Sequence, residues 1–146
     1  MKVSLIISTY NRPDALAVTL NSVLQQTRMP DEVIVGDDGS TQETAAVIAS
    51  FVSRFSVPLI HVWHEDNGFR LAQIRNKSIA KATGDYIIQV DGDLMLHPYF
   101  VEDHVMMARP HAFVKGTRTR LTKRFSEVLC AGKIPPPRRF HSIALT

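Results

Sequence analysis

Residues Asp85–Asp93 read Asp-Tyr-Ile-Ile-Gln-Val-Asp-Gly-Asp, and this stretch decides the fold. Tyr86–Val90 is a short apolar run of the kind that parallel sheets bury on both faces. It ends abruptly in two carboxylates, Asp91 and Asp93, separated by Gly92. Upstream the same arrangement recurs. Lys2–Ser8 (KVSLIIS) is nearly all apolar and β-branched, then gives way to Thr9-Tyr10-Asn11. Glu32–Gly36 (EVIVG) ends in Asp37-Asp38-Gly39-Ser40. Pro58–Trp63 reads as another strand, whose exit holds His64, Glu65, Asp66 and Asn67.

Helical patterns fill the gaps. Leu16, Leu20, Val23 and Leu24 share one helical face behind Pro13, which suits a first helical position. Asn11 is the expected cap there, and Asp14 favours the positive end of the helix. Ser40-Thr-Gln-Glu43 has the form of a capping box opening a helix to about Phe55. A turn at Asn67-Gly68 precedes a helix over Leu71–Ala82, with Gly84 expected as its C-cap. Pro98 opens a helix through about Ala108, Pro110 breaks it, and Ala112–Lys115 is expected as a fifth strand. Strands alternating with helices predict βαβ units: an α/β fold with a mostly parallel central sheet and helices on both faces. Beyond Gly116 the periodicity fades. Pro135–Arg139 (PPPRR) reads as an extended segment.

Composition narrows the class. The chain has 146 residues, 45% hydrophobic and 21% charged, which excludes a disordered chain, a collagen-like fibre and a coiled coil. No apolar run approaches the ~20 residues of a membrane-spanning helix. A single cysteine, Cys130, excludes an intrachain disulfide framework or a multi-cysteine metal site. Met1-Lys2 leads directly into a strand, so no signal peptide is expected, and the expected location is cytoplasmic. Charge is unevenly placed. Residues 1–108 hold 8 Lys/Arg against 13 Asp/Glu, a net −5, whereas residues 109–146 hold 9 against one, a net +8. Such a split suggests a structured body followed by a basic tail. The tail could meet an anionic membrane surface peripherally. Its cations are not interleaved with aromatics, so no nucleic-acid partner is expected.

Ligands of open α/β sheets bind at the carboxyl ends of the strands. Here that rim carries Thr9, Tyr10, Asn11, Asp37, Asp38, Asp91 and Asp93. Two acids flanking one glycine can face a single hard cation, which takes oxygen ligands and usually keeps only one or two carboxylates. A solvated turn is the plain alternative. Tyr10 is placed to lie against a planar base, and Arg75 offers a donor fork for phosphate or carboxylate. No G-x-G-x-x-G or Walker A loop is present. His97 and His104 lack a zinc pattern, and nothing marks Cys130 as a nucleophile.

Four blocks in order give a resemblance. Ser4–Arg12 (SLIISTYNR), Glu32–Ser40 (EVIVGDDGS), Arg75–Ile87 (RNKSIAKATGDYI) and Asp91–Asp93 (DGD) resemble glycosyltransferase family 2 over residues 2–118. Asn67–Arg70 (NGFR) and Lys115–Arg118 (KGTR) resemble its chondroitin-polymerase-like and capsule or lipopolysaccharide subgroup. The resemblance implies a Rossmann-like GT-A sandwich, with a nucleotide-sugar-binding core over 1–118 and a basic, partly irregular tail over 119–146, and a nucleotide-diphosphate sugar as donor, a UDP-sugar first among them. It implies transfer with inversion to a saccharide or glycolipid acceptor, assisted by Mn²⁺ or Mg²⁺. Carried over, Thr9, Tyr10, Asn11 and Arg12 would line the nucleotide pocket, and Asp38 would contact the base beside Asp37. Arg75 and Asn76 would lie near the donor, Asp91 would reach the ribose or the metal, and Asp93 would bind the metal. The family's catalytic base is a later Asp or Glu. Here no aspartate follows Asp103, and Glu127 is the only late carboxylate. The expectation is therefore a chain truncated before its acceptor half. The alternative is an inactive nucleotide- or partner-binding remnant.

Overall fold

The structure, a computed structural model, describes residues 1–133. The expected extended segment at Pro135–Arg139 lies outside them. The strands are β1 (Val3–Thr9), β2 (Glu32–Asp37), β3 (Leu59–Trp63) and β4 (Tyr86–Asp91). The helices are α1 (Pro13–Val23), α2 (Gln42–Val52), α3 (Leu71–Lys81), α4 (Phe100–Met107) and α5 (Lys123–Cys130). The sheet is wholly parallel in the order β3-β2-β1-β4. The register sets Ser8 beside both Gly36 and Asp91, so three strands end together.

Every residue of β1 and β2 is buried, which their unbroken apolar runs require. Val3, Leu5 and Ile7 point to one face with Val33, Val35, Ile88 and Val90, under Leu16, Leu20 and Val23 of α1, Ile48 of α2 and Val101 of α4. Full burial of such a side chain contributes about 1.5–3 kcal/mol. Helix α3 covers the opposite face. A β-carbon on Gly36 would lie 2.5 Å from Ser78 Oγ, so glycine is what allows α3 to sit this close.

Several local expectations are corrected. Ala112–Lys115 forms no strand; Phe113 is 89% exposed, so neither a ladder nor burial offsets the cost of extending it. Lys123–Cys130, in the region read as aperiodic, is a helix that packs on α1 and buries Leu129. Arg12, not Asn11, is the N-cap of α1, and Thr41, not Ser40, is that of α2. Asn11 instead takes a left-handed φ of 47°, and its side-chain oxygen accepts from Thr41 N–H at the start of α2. Ser40 Oγ accepts from Asn11 N–H. The first loop therefore caps the second helix. Gly84 is not a C-cap: α3 ends at Ala82 in extended conformation, and a β-carbon on Gly84 would meet Ser4 N at 2.7 Å.

Candidate functional site

A cleft of about 220 Å³ opens where β1, β2 and β4 end. Its walls include Thr9, Tyr10, Arg12, Asp38, Asp91 and Asp93, together with Ser8, Phe69, Leu71 and Gly92. Six of the expected site residues thus meet in one place although up to 84 positions separate them in sequence.

Gly92 N–H donates to Ser8 O at 2.7 Å, which turns the chain sharply after β4. A β-carbon there would lie 2.9 Å from the same oxygen and 3.2 Å from Thr9 Cβ. The glycine between the acids is therefore dictated by contact with β1. Asp91 is not free. Its Oδ1 accepts from Arg75 at 2.8 Å, Arg75 Nε also reaches Ser8 Oγ at 3.3 Å, and Arg118 stands 3.8 Å from Oδ2. Asp93 is exposed and forms no ion pair among the described residues.

The two acids at the end of β2 have different surroundings. Asp37 is fully buried behind the cleft; its carboxylate accepts from Ser40 N–H at 2.8 Å and meets His61 Nε2 at 3.0 Å. Burial pushes its pKa up, but the His61 and Ser40 contacts outweigh that and hold it below the usual range. Asp38 faces the cleft with both oxygens engaged, Oδ1 with His64 Nε2 at 2.6 Å and Oδ2 with Arg70 N–H at 2.9 Å. Gly39, at φ +96°, lets Asp66 cross close by. Tyr10 is half-exposed and donates to Asp66 Oδ2 at 3.0 Å; that hydrogen bond, with the nearby negative charge, pushes its phenol pKa up. The Thr9 hydroxyl is buried in the wall without a hydrogen-bond partner among the described residues.

Other expected residues lie elsewhere. Asn11 shapes the rim through its α2 contact. Asn76 is exposed on α3 and is not part of the cleft wall. Glu127 is exposed on α5, 4.0 Å from Lys123, and does not line the cleft. Cys130 sits beside Asp14, and burial followed by that carboxylate pushes its thiol pKa up, the reverse of what a nucleophile needs. His104 packs edge-on against Phe100, and burial pushes its pKa down. Among the described residues no cluster of three or more metal-ligating side chains occurs, and no helix is long and apolar enough to cross a membrane. The contacts of His64 with Asp38, of Ser8 with Arg75 and of Arg118 with Asp91 were missed, because each spans 26 or more positions and no local pattern reports it.

The family description "Glycosyl transferase family 2" matches residues 4–127. The chain belongs to this family. It is 35% identical over 103 residues to the hyaluronan synthase of Pasteurella multocida, covering 70% of this chain and 10% of that protein. It is 36% identical over 101 residues to the validoxylamine A glucosyltransferase of Streptomyces hygroscopicus subsp. limoneus, covering 68% of this chain and 22% of that one. The chain therefore spans between a tenth and a quarter of these relatives. Among solved structures it is similar to the mannosyltransferase PcManGT of Pyrobaculum calidifontis in complex with GDP-Man and Mn²⁺, at 25% identity and a TM-score of 0.65 over 75% of this chain and 33% of that one. It is also similar to S. aureus TarS 1–349 in complex with UDP-GlcNAc, at 27% identity and a TM-score of 0.61 over 73% of this chain and 30% of that one. The parallel sheet with helices on both faces is the Rossmann-like GT-A arrangement of these enzymes.

Proposed function

We propose that the cleft binds a nucleoside-diphosphate sugar, a UDP-sugar first, as the donor for transfer to a saccharide or glycolipid acceptor with inversion. The observation that carries this reading is the convergence of Asp38, Asp91 and Asp93 with Arg12 and Arg75 at the carboxyl ends of three parallel strands. Buried, fixed acceptors at β2 suit the N–H edge of a base. Exposed Tyr10 suits its face. Arg12 and Arg75 suit a diphosphate, since guanidinium presents a rigid fork of donors.

A divalent cation fits this donor set. Mg²⁺ and Mn²⁺ take oxygen ligands and usually only one or two from protein carboxylates, the remainder coming from phosphate and water. Asp93 and Asp91 would hold it, with Arg75 on Asp91 Oδ1. When bound, the ion would act as a Lewis acid on the departing diphosphate. The protein's part is to orient: Arg75 fixes Asp91 against Ser8, and the Gly92–Ser8 contact fixes the spacing of the two acids. No proton transfer is assigned to Glu127, which stands apart from the cleft.

Retained Mn²⁺-dependent donor binding by Asp93→Ala would count against this reading; it predicts at least about tenfold weaker binding with Mn²⁺ and little change without it. The second reading, a binding remnant without turnover, draws on the same position of Glu127. Donor hydrolysis or sugar transfer above the buffer background excludes it. The division at residue 118, the cytoplasmic setting and a peripheral membrane contact of the basic tail belong to the proposal as well. Vesicle pelleting at low salt tests the last, and no binding would remove it.

A further inference from the structure

A chain of polar contacts runs behind the cleft, from the surface of α3 to Asp38. Lys77 Nζ lies 3.3 Å from His64 Nδ1, and His64 Nε2 lies 2.6 Å from Asp38 Oδ1. His64 is 6% exposed and Asp38 3%, whereas Lys77 is exposed. A lysine ammonium donates only, so Nδ1 must accept. A neutral imidazole that accepts at Nδ1 carries its proton at Nε2, and that proton points at Asp38. Arg70 N–H grips the other Asp38 oxygen at 2.9 Å. The carboxylate plane is thereby fixed from both sides, and each oxygen keeps a further lone pair for a ligand.

We propose that His64 and Lys77 are positioning residues: Lys77 anchors His64 at Nδ1 and holds its Nε2–H on Asp38, and His64 orients Asp38 to accept an N–H from the nucleotide base. This rests on the cleft being the nucleotide site. A His–Asp pair alone would be adequately explained as core satisfaction. Lys77 distinguishes the two, because its exposed ammonium adds nothing to the core, yet it engages His64 Nδ1 and so holds the ring in place against Asp38.

The test compares two probes, UDP with Mn²⁺ and inorganic pyrophosphate with Mn²⁺, on the 146-residue chain and its variants. His64→Leu should weaken UDP about tenfold, since a hydrogen bond to a charged group is lost, and leave pyrophosphate unchanged. His64→Gln, whose amide N–H can replace Nε2, should recover most of the UDP affinity. Nitrogen-15 NMR should find the Nε2–H tautomer of His64, and Lys77→Met should leave UDP about threefold weaker with pyrophosphate unchanged. Lys77→Met carries the test if His64→Leu fails to fold. Parallel weakening of both probes, no weakening of either, or an Nδ1–H tautomer in the unsubstituted chain overturns the inference. An unsubstituted chain that binds pyrophosphate but not UDP overturns the nucleotide reading itself, and this inference with it.

Discussion

Single atoms decide several positions in this molecule. At Gly39 the backbone has φ +96°, and a β-carbon would stand 2.5 Å from Asp66 Cα, a backbone atom that cannot rotate away. Gly39→Ala is therefore expected to cost about 1–3 kcal/mol through strain and overpacking, read as a lower urea midpoint. A midpoint unchanged from the unsubstituted chain would show that the loop yields freely. Gly92→Ala meets the Ser8 carbonyl at 2.9 Å and should both destabilise the fold and weaken Mn²⁺-dependent donor binding, because Asp91 and Asp93 move with it. Intact metal-dependent binding in a folded Gly92→Ala protein would disconnect that turn from the site. The acids were legible in the sequence as strand-end groups. The reason for the glycine between them was not, since it lies in contact with Ser8, 84 positions upstream.

At the scale of elements, the strands declared themselves because a strand buried on both faces leaves little room for polar residues, as β1 and β2 illustrate. The ends of helices were less legible. Ser40 and Asn11 carry ordinary capping chemistry, but Asn11 spends its oxygen on Thr41 of the neighbouring loop, a tertiary choice invisible to local pattern. Helix α5 was missed because a short amphipathic turn among charges resembles a solvated tail until its partner is known. Leu129 is 2% exposed where α5 meets α1, so Leu129→Ala should lose about 2–5 kcal/mol if α5 is integral to the core. A loss within 0.5 kcal/mol, the range of ordinary surface substitutions, would make α5 a loosely docked appendage. The expected strand at Ala112–Lys115 failed for the converse reason: three apolar letters do not make a strand without a neighbour to pair and a face to bury.

At the scale of the whole molecule, buried carboxylates tie stability to pH. Burial raises the pKa of Asp37 and of Glu32, but hydrogen bonds from His61 and Ser40, and from Ser4 and Thr83, leave both below their ordinary values. A folded pKa below the unfolded one means stabilisation that is full above about pH 4–5 and is lost as pH falls through the folded values. The urea midpoint should therefore drop between pH 5 and pH 3, and Asp37→Asn should flatten that drop while lowering stability at pH 7. An equally steep acid limb in the variant would remove Asp37 from the account. The same assembly concentrates acids and guanidinium groups at one edge of the sheet, the site proposed above for a nucleoside diphosphate. The most direct measurement is calorimetric titration of the folded chain with UDP-, GDP- and TDP-sugars, each with and without Mn²⁺. The prediction is saturable binding of at least one donor, tightened by Mn²⁺; a chain that keeps its folded circular dichroism and binds none of them, with or without the ion, would contradict it.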